Sequence, residues 1–157
     1  RGHYGAGRDA GAMHMLPVRG DGDAATLGDL LDFDINRNHA ESRLGRVLTT
    51  EEYQNLLVAG TPPVMERYEA IVEGFVEAIY ILDNILDPDF VIVSGIYNVL
   101  GERLVEDVLQ ELSKRAEPHL IDNLELLPAP PDRDLVLNGL AHLQIEKWRR
   151  DTVTLLQ

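Results

Sequence analysis

The run FVIVSG, Phe90 to Gly95, does most to limit what this chain can fold into. Its four apolar residues follow one another without alternation, three of them β-branched, with the turn signal LDPD before and a glycine behind. Such a run reads as a strand buried on both faces of a parallel sheet. Parallel neighbours cannot be joined by a tight turn, so a helix must cross between strands. The flanking sequence supplies candidates. Upstream, Pro62 and Pro63 open the longest periodic segment, where Tyr68, Ile71, Val72, Phe75, Val76, Ile79 and Tyr80 recur at the three-and-four spacing of one helical face. Downstream, Val99 to Glu117 carries Leu100, Leu104, Val105, Val108 and Leu112 on one stripe, and NLELLPAPP then gives a short strand and a Pro-rich stop. Asp132 to about Arg150 reads as a last helix. Thr26 to Asn36 and TTEEYQNLLVAG, which is capped at Thr49 and stopped at Gly60, read as short helices. This cadence predicts a helix-rich α/β domain with a small, mainly parallel sheet.

One domain is expected from 157 residues of which 45% are hydrophobic. Twenty-seven acids against 14 Lys and Arg leave a formal net charge of -13, which repels nucleic acid and anionic membranes. The absence of cysteine excludes disulfides, thiolate metal sites and Cys nucleophiles. No apolar run is long enough to span a bilayer, so a soluble, cytoplasmic domain is expected, with no membrane partner. The Gly-rich residues 1–12 read as a flexible tail. A chain that starts at Arg1 is either processed or a piece of a longer protein.

Few residues point to chemistry on their own. His3, His14, His39, His119 and His142 are scattered, with no metal-ligand spacing. Walker loop, nucleophile elbow and dinucleotide fingerprint are all missing. Ser94 and Gly95 fall at the carboxyl end of the predicted strand, where α/β proteins bind ligands; a plain turn glycine is the alternative. The acids of DFD and EE read as solvated or helix-start charges. EKWRR is either a charge complement to a helix end or a docking patch.

Taken together, RGHYGAGRDAGAMHMLPV, ATLGDLLDFD, LDPDFVIVSG and LNGLAHL resemble the carboxy-terminal half of the ROK family of bacterial repressors, unassigned reading frames and sugar kinases. Members carry a run like R-G-x-x-G-x-A-G-E-x-G-H-x-x-V, then C-x-C-G-x-x-G-C-x-E, L-x-P-x-x-I-V-I-G-G and L-G-A-A-x-L. Gly11, Pro17, Val18 and Gly28 keep the framing. The resemblance implies an actin-like, ribonuclease-H-like carboxy-terminal lobe. It also implies that the first motif's glutamate and histidine grip sugar hydroxyls, and that this histidine and three cysteines hold a structural zinc. Here the glutamate position is Ala12 and the histidine position Met15. The cysteine positions are Ala25, Leu27 and Asp32, which leaves one oxygen where four ligands are needed. His14 stands one place early, which in a strand would turn it to the opposite face. Asp34 keeps the last carboxylate, one methylene shorter. The segment reads as an emptied site, with apolar packing in place of zinc.

The kinase phosphate loop and sugar-activating aspartate of the family lie before the region matched, so this chain is expected to be non-catalytic and without a cofactor. The expected role is effector binding and dimerisation in a sugar-responsive ROK-type transcriptional regulator. Sugar-side candidates are Gly11, Ala12, Met15 and Asp34, and Ser94 and Gly95 mark the nucleotide-side cleft. The partners implied are a sugar or sugar derivative, a second copy, and DNA through an upstream winged helix. The alternatives are the carboxy-terminal part of a divergent sugar kinase, or a scaffold whose long helix, about Glu66 to Leu86, self-associates.

Overall fold

The computed structural model describes residues 13–18, 26–115, 124–130 and 135–155, with side chains of the last stretch described over 138–149. Short polar caps set the first helices. The Thr26 hydroxyl accepts from the Asp29 N–H, and the Asp29 carboxylate accepts from the Thr26 N–H at 2.8 Å, a reciprocal box that starts α1, Leu27–Leu31. Asp32 caps α2, Phe33–Leu44, by accepting from the Ile35 N–H at 2.9 Å. Thr49 and Glu52 repeat the box at α3, Thr50–Val58. The one-turn α4, Pro62–Met65, has its two prolines where a helix start does not need their N–H groups.

The expected core helix is α5, Tyr68–Leu86, and it buries Tyr68, Ile71, Val72, Gly74, Val76 and Ile79. It packs against α1 on one side and α6, Glu102–Ser113, on another. Leu104, Val105, Val108 and Leu112 of α6 are buried in turn, together with Tyr53 and Leu57 of α3. The stripe expected to serve self-association is therefore the interior of the domain.

The expected βαβ unit is present: β1, Phe90–Val93, and β2, Glu125–Pro128, pair in parallel with α6 between them. The register sets Phe90 beside Glu125 and Ile92 beside Leu127, and the Ala129 N–H extends the ladder to the Val93 carbonyl at 2.7 Å. The last helix, α7, covers Leu135–Leu155.

Several features differ from the sequence reading: the helix expected over Thr26 to Asn36 is broken at Asp32 and resumes to Leu44, α6 ends at Ser113 rather than Glu117, and α7 runs to Leu155 rather than about Arg150. The strand is not buried on both faces: Val93 and Leu126 face the core, while Phe90 and Ile92 are 57% and 53% exposed. Among the described residues the sheet has two strands and packs on α6, leaving its other face open. The helix expected from Val99 starts at Glu102, because Gly101, at φ 54°, separates it from a 3-10 turn over Ile96–Leu100. Among the described residues no helix is long and apolar enough to cross a membrane.

Gly74 decides how closely α1 approaches α5. A Cβ there would lie 2.7 Å from Leu31 Cγ and 3.1 Å from Leu30 Cβ, inside contact distance of two branched side chains. Alanine favours a helix interior by about 1 kcal/mol over glycine, but overpacking costs about 1–3 kcal/mol. Gly74→Ala should lower stability in urea unfolding. At Gly139, in α7, the same change meets nothing within 4 Å and should raise helicity by circular dichroism.

Candidate functional site

The segment read from the sequence as an emptied motif is held by its backbone. Met13–Met15 form a 3-10 turn, and the Leu16 carbonyl accepts from the Leu27 N–H of α1 at 2.8 Å. Gly28 lets the turn sit this close, since a Cβ there would come 3.0 Å from the His14 carbonyl oxygen. A 3-10 turn rotates its residues by about 120° each, so His14 and Met15 are not sent to opposite faces as in a strand. Both are exposed, Met15 at 67%. Gly11, Ala12 and Ala25 lie outside the described residues.

The remaining positions of the motif have other work. Leu27 is buried, 2% exposed, and contributes apolar packing where the family pattern has a thiolate. Asp32 is committed to capping α2. Asp34 sits in the exposed first turn of α2 and pairs with Arg37 at 2.7 Å. Among the described residues no group of three or more His, Asp or Glu is placed to hold a metal ion. Of the histidines, His39 meets Glu66 at 3.0 Å; this contact and Arg43 hold the Glu66 carboxyl below its ordinary range.

At the other candidate, Ser94 and Gly95 form an exposed turn directly after β1. Gly95 has φ 91°, a conformation that side-chain-bearing residues rarely adopt. Gln54 of α3 donates from Nε2 to the Ile96 carbonyl at 2.9 Å, and Asn98 donates to the Ala129 carbonyl at 2.9 Å. The turn is thereby tied to α3 and to the end of β2.

A buried polar bridge joins these two regions. Asn36, two residues beyond Asp34 in α2, is 1% exposed and donates from Nδ2 to the Leu30 carbonyl at 2.9 Å and to the Tyr97 hydroxyl at 2.7 Å. Its Oδ1 accepts from Arg67 Nε at 2.6 Å, and Arg67 also donates to the Asp29 carbonyl at 3.1 Å. Tyr97 lies two residues beyond Gly95. Burial pushes the Tyr97 hydroxyl up to about 12, against a lowering by the Asn36 hydrogen bond. Tyr53 is fully buried beside it, also pushed upward chiefly by burial, and its hydroxyl has no hydrogen-bond partner among the described residues. The sequence reading missed this bridge. The available signal was Asn36 among Phe33, Ala40 and Leu44, a polar residue on what is otherwise the apolar stripe of a helix.

The arrangement can hold α2 and the turn after β1 in a fixed relation, but among the described residues it brings no convergent acid and base together. Comparison with protein-family models and with curated proteins finds no match to this chain.

Two outcomes follow from the geometry. Asn36→Leu leaves the Tyr97 hydroxyl and Arg67 without their buried partner and should cost about 2–4 kcal/mol in urea unfolding; Tyr53→Phe, which removes an unpaired hydroxyl, should stay within about 1 kcal/mol. Protein prepared without chelators should carry no stoichiometric zinc by elemental analysis, and one zinc per chain would overturn the reading of Met15, Leu27 and Asp32 as emptied positions.

Proposed function

We propose that this chain is a non-catalytic effector-binding and dimerisation portion of a ROK-type transcriptional regulator, with the actin-like lobe that the motifs imply. The observation that carries the reading is the Asn36–Tyr97 bridge, which couples the helix bearing Asp34 to the turn bearing Ser94 and Gly95. A regulator needs a ligand to bind two states unequally, and performs no bond chemistry. A sugar held near Met15 and Asp34 would bear on α1 and α2, and any movement of α2 is felt at Tyr97 through a hydrogen bond that cannot be exchanged for water. The exposed carboxylate of Asp34, balanced by Arg37, is an acceptor suited to a sugar hydroxyl. The acidity of the chain fits a division of labour in which DNA is read by another segment.

The test uses the full-length gene product. The coding sequence before Arg1 should encode a winged helix with a basic recognition helix. One member of a panel of hexoses, N-acetylated amino sugars and sugar phosphates should raise the melting temperature saturably, by an amount matching about 2.7 kcal/mol at a hundredfold excess over Kd. ATP should not be consumed. A D-x-G-G-T phosphate loop upstream, with ADP released in the presence of a sugar, would replace the regulator by a kinase. Indifference to the whole panel would remove effector binding.

A further inference from the structure

Tyr53 stands inside the apolar interior, 0% exposed, with its ring edge-on to Phe33 of α2 at 5.4 Å between centroids. A phenylalanine would make the same apolar contacts. The hydroxyl is buried with the ring, and no described group bonds to it. A buried hydroxyl without a partner forfeits the hydrogen bonds it had in water, and folded proteins rarely leave one so. Tyr53 therefore needs a partner that the side chains around it do not provide.

A second buried hydroxyl close by has a proton to give. Gln54 donates to the Ile96 carbonyl at 2.9 Å where α3 packs on the 3-10 turn, so Tyr53 and Tyr97 are the chain neighbours of two bonded residues. The Tyr97 hydroxyl accepts from Asn36 Nδ2 at 2.7 Å. An amide nitrogen donates only, so this bond leaves the phenolic proton of Tyr97 to be accepted elsewhere. The two hydroxyls do not bond to each other. They are nevertheless near enough to interact: burial chiefly raises the Tyr53 phenol, Tyr97 raises it further, and Arg67 opposes both.

A donor in need of an acceptor and a hydroxyl in need of any partner, a short way apart and shut off from solvent, are what one small neutral molecule can join. A water oxygen accepts from the Tyr97 O–H while a water proton goes to the Tyr53 oxygen, which supplies the two polar partners an enclosed water requires. A charged ligand is disfavoured. Arg67 repels a cation from this place, Asp32 repels an anion, and either ion would lose its hydration on entry.

We propose that the domain holds a resident water molecule between the hydroxyls of Tyr53 and Tyr97. The water completes a polar relay that runs from the Asp29 carbonyl through Arg67, Asn36 and Tyr97 to Tyr53, and so adds α3 to the elements that Asn36 ties together. A link through water can shift without stranding either hydroxyl. The turn after β1 is thus held tightly to α2 and more loosely to α3. This inference does not rest on the regulator reading.

Crystal structures of the intact wild-type chain and of Tyr53→Phe, refined with their ordered water, test this together with a double-mutant cycle in urea. The wild type should show one water within about 2.5–3.2 Å of both phenolic oxygens, and Tyr53→Phe should lack it. In the cycle, the factor by which Tyr97→Phe changes the unfolding constant should be smaller by at least about twofold in the Tyr53→Phe background, where the shared water is already lost. Both substitutions keep the ring and its packing, so the variants should retain the wild-type far-UV spectrum. A wild-type structure in which the two hydroxyls touch directly, or in which an ion lies between them, would overturn the proposal. So would a water that stays in place in Tyr53→Phe, or a cycle in which the two substitutions act independently.

Discussion

The burial of α5 from several sides is the constraint that the rest of the structure obeys. Ile71, Val72, Val76 and Ile79 are each at most 5% exposed, and such side chains contribute about 1.5–3 kcal/mol apiece. Exposed ion pairs such as Arg46 with Glu52 are screened by water and contribute little beside this. The difference in scale explains how a chain of net charge -13 holds together: none of its described acids is buried, and apolar packing outweighs their pairing. Where the acids do meet cations across elements, as Glu73 and Glu77 meet Arg115 at the end of α6, they join helices that apolar packing has already brought together.

Within that apolar interior Asn36 is the buried polar side chain among the described residues. Hydrogen bonds in such surroundings favour one arrangement strongly because every alternative strands a donor or an acceptor. Asn36 satisfies a carbonyl of α1, a hydroxyl of the 3-10 turn and a guanidinium just before α5. Three elements are fixed relative to one another by a single amide. Apolar contacts are tolerant of small sliding motions, so this amide does most to set the relative position of α2 and the Ser94–Gly95 turn.

Much of the local structure was legible in the sequence. The Thr49 cap, the periodic stripe of α5, and the apolar run of β1 each express a short-range rule, and each element stands where those residues place it. The α6 boundary was misread because the stripe from Leu100 runs on through Gly101 without a break in hydrophobicity; the break is in backbone conformation. The coverage of β1 was misread because an unbroken apolar run says that a strand prefers burial, not which neighbour supplies it. Of the candidate site, the roles of Asp32 and Leu27 became visible only in three dimensions, one in a helix cap and the other in the interior. The link from Asn36 to Tyr97 spans 61 positions, and no periodicity reports a contact at that distance along the chain.

The manner in which residues 13–18 are held bears on which of their positions are constrained. The turn rests on α1 through the Leu16 carbonyl and the close approach of the His14 backbone to Gly28. These contacts belong to the main chain and would be made by almost any sequence. His14 and Met15 are themselves exposed. Glycine at position 28 is thus the costly letter, while positions 14 and 15 are free to drift. A turn built this way can change its exposed side chains through single substitutions and keep the main-chain contacts that place it.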